Sequence, residues 1–136
     1  TDAGLDRYNS DLDNFVRFNH KDITWPLGQV FEVDEDTEGK LWIAAETGLY
    51  AYNLNTTEIQ YYSNKAGNPH GLPSTHFFRL FVDRNNNVWI SLLNRGLCIY
   101  NQSAETFEFH SNNPDDPKTI SGDRIESFYE DSEGNI

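Results

Sequence analysis

The stretch VDEDTEGKLWIAAETGLYAYN at 33–53 decides how this chain folds. It carries apolar segments built on Leu, Trp, Ile and Tyr, residue types that favour strands. Between them lie TEGK at 37–40 and ETG at 46–48, where glycine suits the positive φ of a hairpin turn. The stretch therefore reads as strand, turn, strand, turn, strand. It returns as LFVDRNNNVWISLLNRGLCIYN at 80–101, and IESFYEDSEGNI at 125–136 begins it a third time. In register, Asp36, Asp83 and Asp131 align, as do Gly39, Asn86 and Gly134, and Trp42 aligns with Trp89. Upstream, GLDRYN at 4–9 matches GLYAYN at 48–53 and GLCIYN at 96–101. A further apolar segment follows each of these, NFVRF at 14–18, EIQYY at 58–62 and TFEFH at 106–110.

Each unit thus holds four short segments. Strand A is expected at 30–34, 77–82 and 125–129, and strand B at 40–45 and 87–92 with a stub at 135–136. Strand C is expected at 4–8, 48–52 and 96–100, and strand D at 14–18, 58–62 and 106–110. None is long enough for an ordinary helix, and no sustained 3.6-residue period runs through the chain. Four short antiparallel strands repeating at a period in the forties predict the blade of a β-propeller. The chain is all-β on this reading. It holds strands C and D of one blade (4–18), two full blades (30–62 and 77–110), and the start of another (125–136). A blade cannot bury both faces of its sheet alone, so it stacks on its neighbours. Trp42, Trp89, Tyr8, Tyr52 and Tyr100 are accordingly expected between blades, with Gly48 and Gly96 in the B–C turns. About three blades do not close a ring, since propellers have roughly four to eight. The expected partners are the remaining blades of a larger ring, or further copies meeting head to tail.

These residues resemble the two-component regulator propeller repeat. Its pattern is an apolar strand ending in ED, a Gly turn, LWIGT, then GLxxYN and FxxY. Here Ala44 and Ala45 stand where that repeat has Gly-Thr, as do Ser91 and Leu92, and Asn86 replaces the turn glycine. NPDDPKTISGDRI at 113–125 is similar to the family's linker between blades. The resemblance implies the periplasmic sensor region of a hybrid two-component histidine kinase anchored in the inner membrane. It also implies signal transduction, often in response to oligosaccharides. Any kinase activity would then belong to the parent protein and not to this segment.

In a propeller the D–A and B–C loops emerge on one face. That face is expected to receive His20, Lys21 and Trp25 from one loop and His70 from the next. Arg124 comes from the third, and the turns add Glu46, Asn94 and Arg95. Trp25 has no counterpart in the other repeats. Its ring suits the apolar side of a sugar, with amides and charges taking the hydroxyls. The competing structural reading has it cover the end of the blade core beside Pro26 and Leu27. An oligosaccharide is the expected ligand and the segment is expected to be non-catalytic. The alternatives are a propeller lyase or hydrolase, which would need His, Glu or Arg converging on the ring axis, and an interaction scaffold. A WD-type scaffold would carry GH and WD dipeptides, and the sequence has neither.

Composition removes several other classes. The 136 residues carry 22 acidic and 10 basic side chains, a formal net charge of −12. Nucleic acid is a poor partner for such a chain, because phosphate neutralisation needs clustered Lys and Arg. No apolar run reaches the roughly 18 residues of a membrane span. The single cysteine, Cys98, excludes an internal disulfide. DEDTEG at 34–39 places acids like the start of a calcium loop. Ala45 stands where the bidentate acid would be, so the segment reads as a hairpin turn. The histidines show no metal-ligand spacing, and no cofactor is expected. With no methionine and no signal peptide, the sequence is expected to be a piece of a longer protein.

Overall fold

The computed structural model describes residues 5–17, 28–64 and 71–136. Ten strands form three antiparallel sheets, with no helix among the described residues. Strands β1 (Asp6–Asn9) and β2 (Asn14–Arg17) pair with each other. Strands β3 (Val30–Glu35), β4 (Lys40–Ala45), β5 (Gly48–Asn53) and β6 (Ile59–Tyr62) form a four-stranded meander. Strands β7 (Phe77–Val82), β8 (Val88–Leu92), β9 (Gly96–Asn101) and β10 (Thr106–His110) repeat it. These are two complete propeller blades, hereafter the first and second blade. The first strands of the two, β3 and β7, lie side by side. Both carry a bulge at the same place, between Val30 and Glu32 and between Phe77 and Arg79.

Residues 125–129 form no strand. The segment is instead held by side chains of the second blade. Arg79 Nε donates to the Glu126 carbonyl (3.1 Å) and Ser91 Oγ to the Ile125 carbonyl (3.1 Å).

The aligned aspartates explain why the A–B turn repeats. Asp36 Oδ1 accepts the backbone N–H groups of Glu38 (3.0 Å) and Lys40 (2.9 Å). Asp83 Oδ1 does the same for Asn85 and Asn87, and Asp131 Oδ1 for Glu133 and Asn135. The other oxygen reaches the tryptophan six residues on. Trp42 Nε1 donates to Asp36 Oδ2 at 3.1 Å and Trp89 Nε1 to Asp83 Oδ2 at 2.9 Å. The left-handed position is Gly39 (φ 78°), Asn86 (φ 63°) and Gly134 (φ 87°). DEDTEG is therefore a hairpin turn, with the Asp36 carboxylate spent on holding it.

The core lies between the blades. Alternate residues of β4 and β5, namely Trp42, Ala44, Leu49 and Ala51, face Val88, Ile90, Cys98 and Tyr100 of the second blade. Trp42 is fully buried, and its ring lies 5.2 Å from that of Tyr100 and 6.0 Å from that of Tyr62. The opposite face buries Ile43, Ala45, Tyr50 and Tyr52, with Leu5 packed against them. Trp89 is half-buried and faces Phe128, 6.4 Å away. Tyr8 departs from the inter-blade role expected of it. It is 52% exposed, tilts on Phe15, and donates its hydroxyl to Asp13 (2.7 Å). Among the described residues its sheet holds two strands, and none of the others covers the ring.

Cys98 is fully buried in this core, and burial pushes its thiol up to about 12. The thiolate is the reactive form, so the native thiol is expected to be inert. Iodoacetamide at pH 8 should leave the native protein unlabelled and alkylate Cys98 fully in denaturant. Rapid native labelling would contradict the packing described.

The turns also join the blades. Thr37, directly after Asp36, donates its N–H and hydroxyl to Asn86 Oδ1 (2.9 and 2.8 Å). Gln102 Nε2 bridges the Asn86 carbonyl and Asp36 Oδ2. Arg84, directly after Asp83, reaches onward in the same way. It pairs with Glu130 (2.5 Å) and donates to the Asp131 carbonyl (2.6 Å).

Candidate functional site

The face formed by the B–C turns and D–A loops is built by backbone bonds. Glu46 N–H donates to the Gln29 carbonyl (2.9 Å), and Leu93 N–H donates to that of His76 (2.9 Å). The second blade's turn is one residue longer and places Asn94 at φ 53°. The long loop 111–124 is tied back on itself: Asn112 N–H donates to Asp123 Oδ1 (2.6 Å) and Asn112 Nδ2 to the Ile120 carbonyl (2.7 Å). Gly96 N–H then donates to the Asp123 carbonyl (2.8 Å). That bond brings Arg95 and Arg124 to one end of the second blade.

The structure thus gathers Asn94, Arg95 and Arg124, all exposed. Arg124 pairs with Glu126 at 2.6 Å, with both side chains more than half exposed. Such a pair contributes little to stability, about 0–1 kcal/mol, which leaves the guanidinium available to a ligand. Glu46 sits at the matching end of the first blade. Its Oε2 accepts the Gln29 N–H (3.4 Å) and covers Gly28, whose φ is 58°. A Cβ at Gly28 would lie 2.4 Å from that oxygen, so Glu46 holds the entry to β3. His20, Lys21, Trp25 and His70 lie outside the described residues. His76 makes a local turn: Ser74 Oγ accepts its N–H (3.1 Å) and lies 3.3 Å from its Nδ1.

The adjoining first strands of the two blades, β3 and β7, carry a feature that sequence reasoning passed over. A cavity of about 380 Å³ is lined by Glu32, Asp34, Arg79, Phe81, Ser127 and Phe128, among others. Arg79 lies 3.8 Å from Glu32 and stacks on Phe78, 4.4 Å from the ring centre. It also donates to the carbonyls of Phe78 and Glu126. Asp34 Oδ2 accepts the Val82 N–H across the blade boundary (2.8 Å). These groups are satisfied by one another, so the wall holds neighbouring blades together. The signal available in the sequence was the aligned trio Glu32, Arg79 and Ser127, which differ while their flanks repeat.

No protein-family model and no curated protein matches the chain. Solved structures do match. One is the extracellular domain of BT4673 from B. thetaiotaomicron, described once as a one-component and once as a hybrid two-component system. In both cases the TM-score is 0.70 and the identity 20%, over 99% of this chain and 18% or 17% of that one. The chain shares the fold of the matched part of these structures. A third match is the extracellular domain of BT3049 from the same organism, described as a hybrid two-component system. It has a TM-score of 0.64 at 21% identity, over 77% of this chain and 14% of that one. The chain spans less than a fifth of the length of each of these structures.

Proposed function

We propose that this chain is a segment of the extracytoplasmic sensor region of a two-component system, with a histidine kinase as its parent. The observation that carries this reading is the likeness, over 99% of the chain, to the extracellular domain of one such system. The segment binds rather than catalyses, and its ligand is an oligosaccharide. The exposed end of the second blade supports that role. Arg95 and Arg124 present planar guanidinium donors for hydroxyls, and Asn94 adds an amide. Calorimetric titration of the complete ectodomain against a panel of defined oligosaccharides tests the reading. At least one is expected to bind, and Arg95→Ala with Arg124→Ala should weaken it about tenfold, roughly 1.4 kcal/mol. Stability should stay within about 0.5 kcal/mol, because both residues are exposed. Absence of binding across the panel, with turnover of some substrate, would overturn it in favour of an enzyme.

A further inference from the structure

Away from the blade ends, the outer rim between the two complete blades carries a second opening. Two adjoining hollows, of about 520 and 340 Å³, share Gln60. Ligand sites commonly occupy about 300–1,000 Å³. The first hollow is lined by Lys40, Ala51, Asn53 and Glu58, among others. Tyr61, Tyr62, Tyr100 and Glu105 line the second.

A break in the repeat opens this groove. Ala51 pairs with Trp42 in the first blade, at the position where Ile99 pairs with Trp89 in the second. Ala51 is 2% exposed and packs in the inter-blade core, so it forms the floor of the first hollow. The polar groups around it are only partly spent. Asn53 Oδ1 accepts the N–H groups of Asn55 and Thr56, and Gln60 Oε1 accepts the Tyr62 hydroxyl (3.2 Å). The amide NH₂ groups of Asn53 and Gln60 have no partner among the described residues. Nor has the Glu105 carboxylate. Glu58 uses one oxygen, on the Thr56 hydroxyl (3.1 Å). Lys40 Nζ donates to Gln102 Oε1 (3.1 Å) and has protons left to donate. The partly buried ring of Tyr62 supplies aromatic surface, while the Tyr61 ring packs on Tyr50 on the opposite face of the sheet.

Amide donors and carboxylate acceptors beside the Tyr62 ring suit a ligand that carries hydroxyls on an apolar ring. We infer that this rim groove is a separate binding site for a neutral oligosaccharide. The inference rests on the proposed saccharide-binding role. The ligand is neutral because the two hollows hold two carboxylates, Glu58 and Glu105, and a single ammonium, Lys40, already engaged by Gln102. An acidic sugar would meet net repulsion there.

The test uses the complete ectodomain with cello-, malto-, xylo- and mannotetraose and with tetragalacturonate. Hydrogen exchange and calorimetry are read together. At least one neutral tetrasaccharide is expected to protect amides within 51–62 and 100–105. Ala51→Ile, which installs the second blade's residue, should raise its Kd about tenfold or more. Gln60→Ala, at an exposed position, should weaken binding similarly with an unchanged Tm. If protection falls only around 93–96 and 111–124, and both variants bind normally, the rim site is wrong while the proposed function stands. Binding of tetragalacturonate alone also overturns the rim site. No binding by any of the five probes overturns both.

Discussion

Asp83→Ala is expected to destabilise the protein by about 3 kcal/mol, a fall in Tm of roughly 10 °C. The carboxylate accepts from Asn85 N–H, Asn87 N–H, Asn87 Nδ2 and Trp89 Nε1, all within 3.0 Å. Asp83 is 5% exposed, so its loss strands donors that water reaches poorly. Each buried donor left without a partner costs about 1–3 kcal/mol, and those at the turn surface recover part of that from solvent. Asp83→Asn should cost less, since its carbonyl can still hold the two backbone N–H groups. Its NH₂ would then face the Trp89 N–H, donor against donor.

The same residue ties stability to pH. Burial pushes its carboxyl up, but the bonds from Trp89, Asn87 and Asn85 outweigh this and hold it below the ordinary carboxylate value of 3.8. A group with a lowered native pKa contributes stability in full above its unfolded value. That contribution is lost as pH falls through the native one. Thermal unfolding should therefore show an acid-dependent loss beginning near pH 4, and Asp83→Asn should remove part of that slope. A Tm change of under 2 °C for Asp83→Ala would show that the turn does not depend on this carboxylate.

The second large effect is expected at Gly96→Ala, a loss on the order of 3 kcal/mol or more. Gly96 has φ 92°, a conformation that side chains disfavour. An added Cβ would lie 2.2 Å from the His110 carbonyl oxygen and 3.1 Å from Ser111 Cα. One is a backbone atom of the paired strand and the other of the residue that follows it, and neither can swing aside. The strand must move, and the Gly96 N–H bond to Asp123 that anchors loop 111–124 goes with it. Hydrogen exchange should accelerate over 106–124 while the first blade keeps its protection. Gly122→Ala is the control, because nothing lies within 4 Å of its added Cβ. Equal tolerance of the two substitutions would refute the account.

Much of the fold was legible because a repeat displays its own constraints. The spacing of Trp42 and Trp89, and the glycines at 48 and 96, led to strands of nearly the observed bounds. The alignment also picked out Asp36, Asp83 and Asp131, but not their bond to the tryptophans. Period and composition rank positions, whereas the partner of a side chain depends on how a turn folds back over a strand. Tyr8 shows the converse. It shares its motif with Tyr52 and Tyr100, yet exposure depends on how many strands flank it. At the candidate site, Arg95 and Arg124 converge only because Gly96 bonds to Asp123, a contact between segments distant in sequence. The rim groove was hidden for a related reason. Ala51 is unremarkable as a strand residue, and its smallness has meaning only beside Trp42.

The bonds between consecutive A–B turns have a combinatorial consequence. At one junction Thr37 meets Asn86, a hydroxyl and an amide. At the next, Arg84 meets Glu130, a cation and an anion. Both joints start from the residue after the turn aspartate, but the partner lies three residues after the next aspartate at Asn86 and one before it at Glu130. Blades that look interchangeable therefore carry keyed connectors, each matched to one neighbour. Setting the third turn directly after the first would put Gly134 where Thr37 meets Asn86, and that joint would be lost. Genetic duplication can multiply such blades freely, but a joint forms only where the next turn supplies the matching side chain.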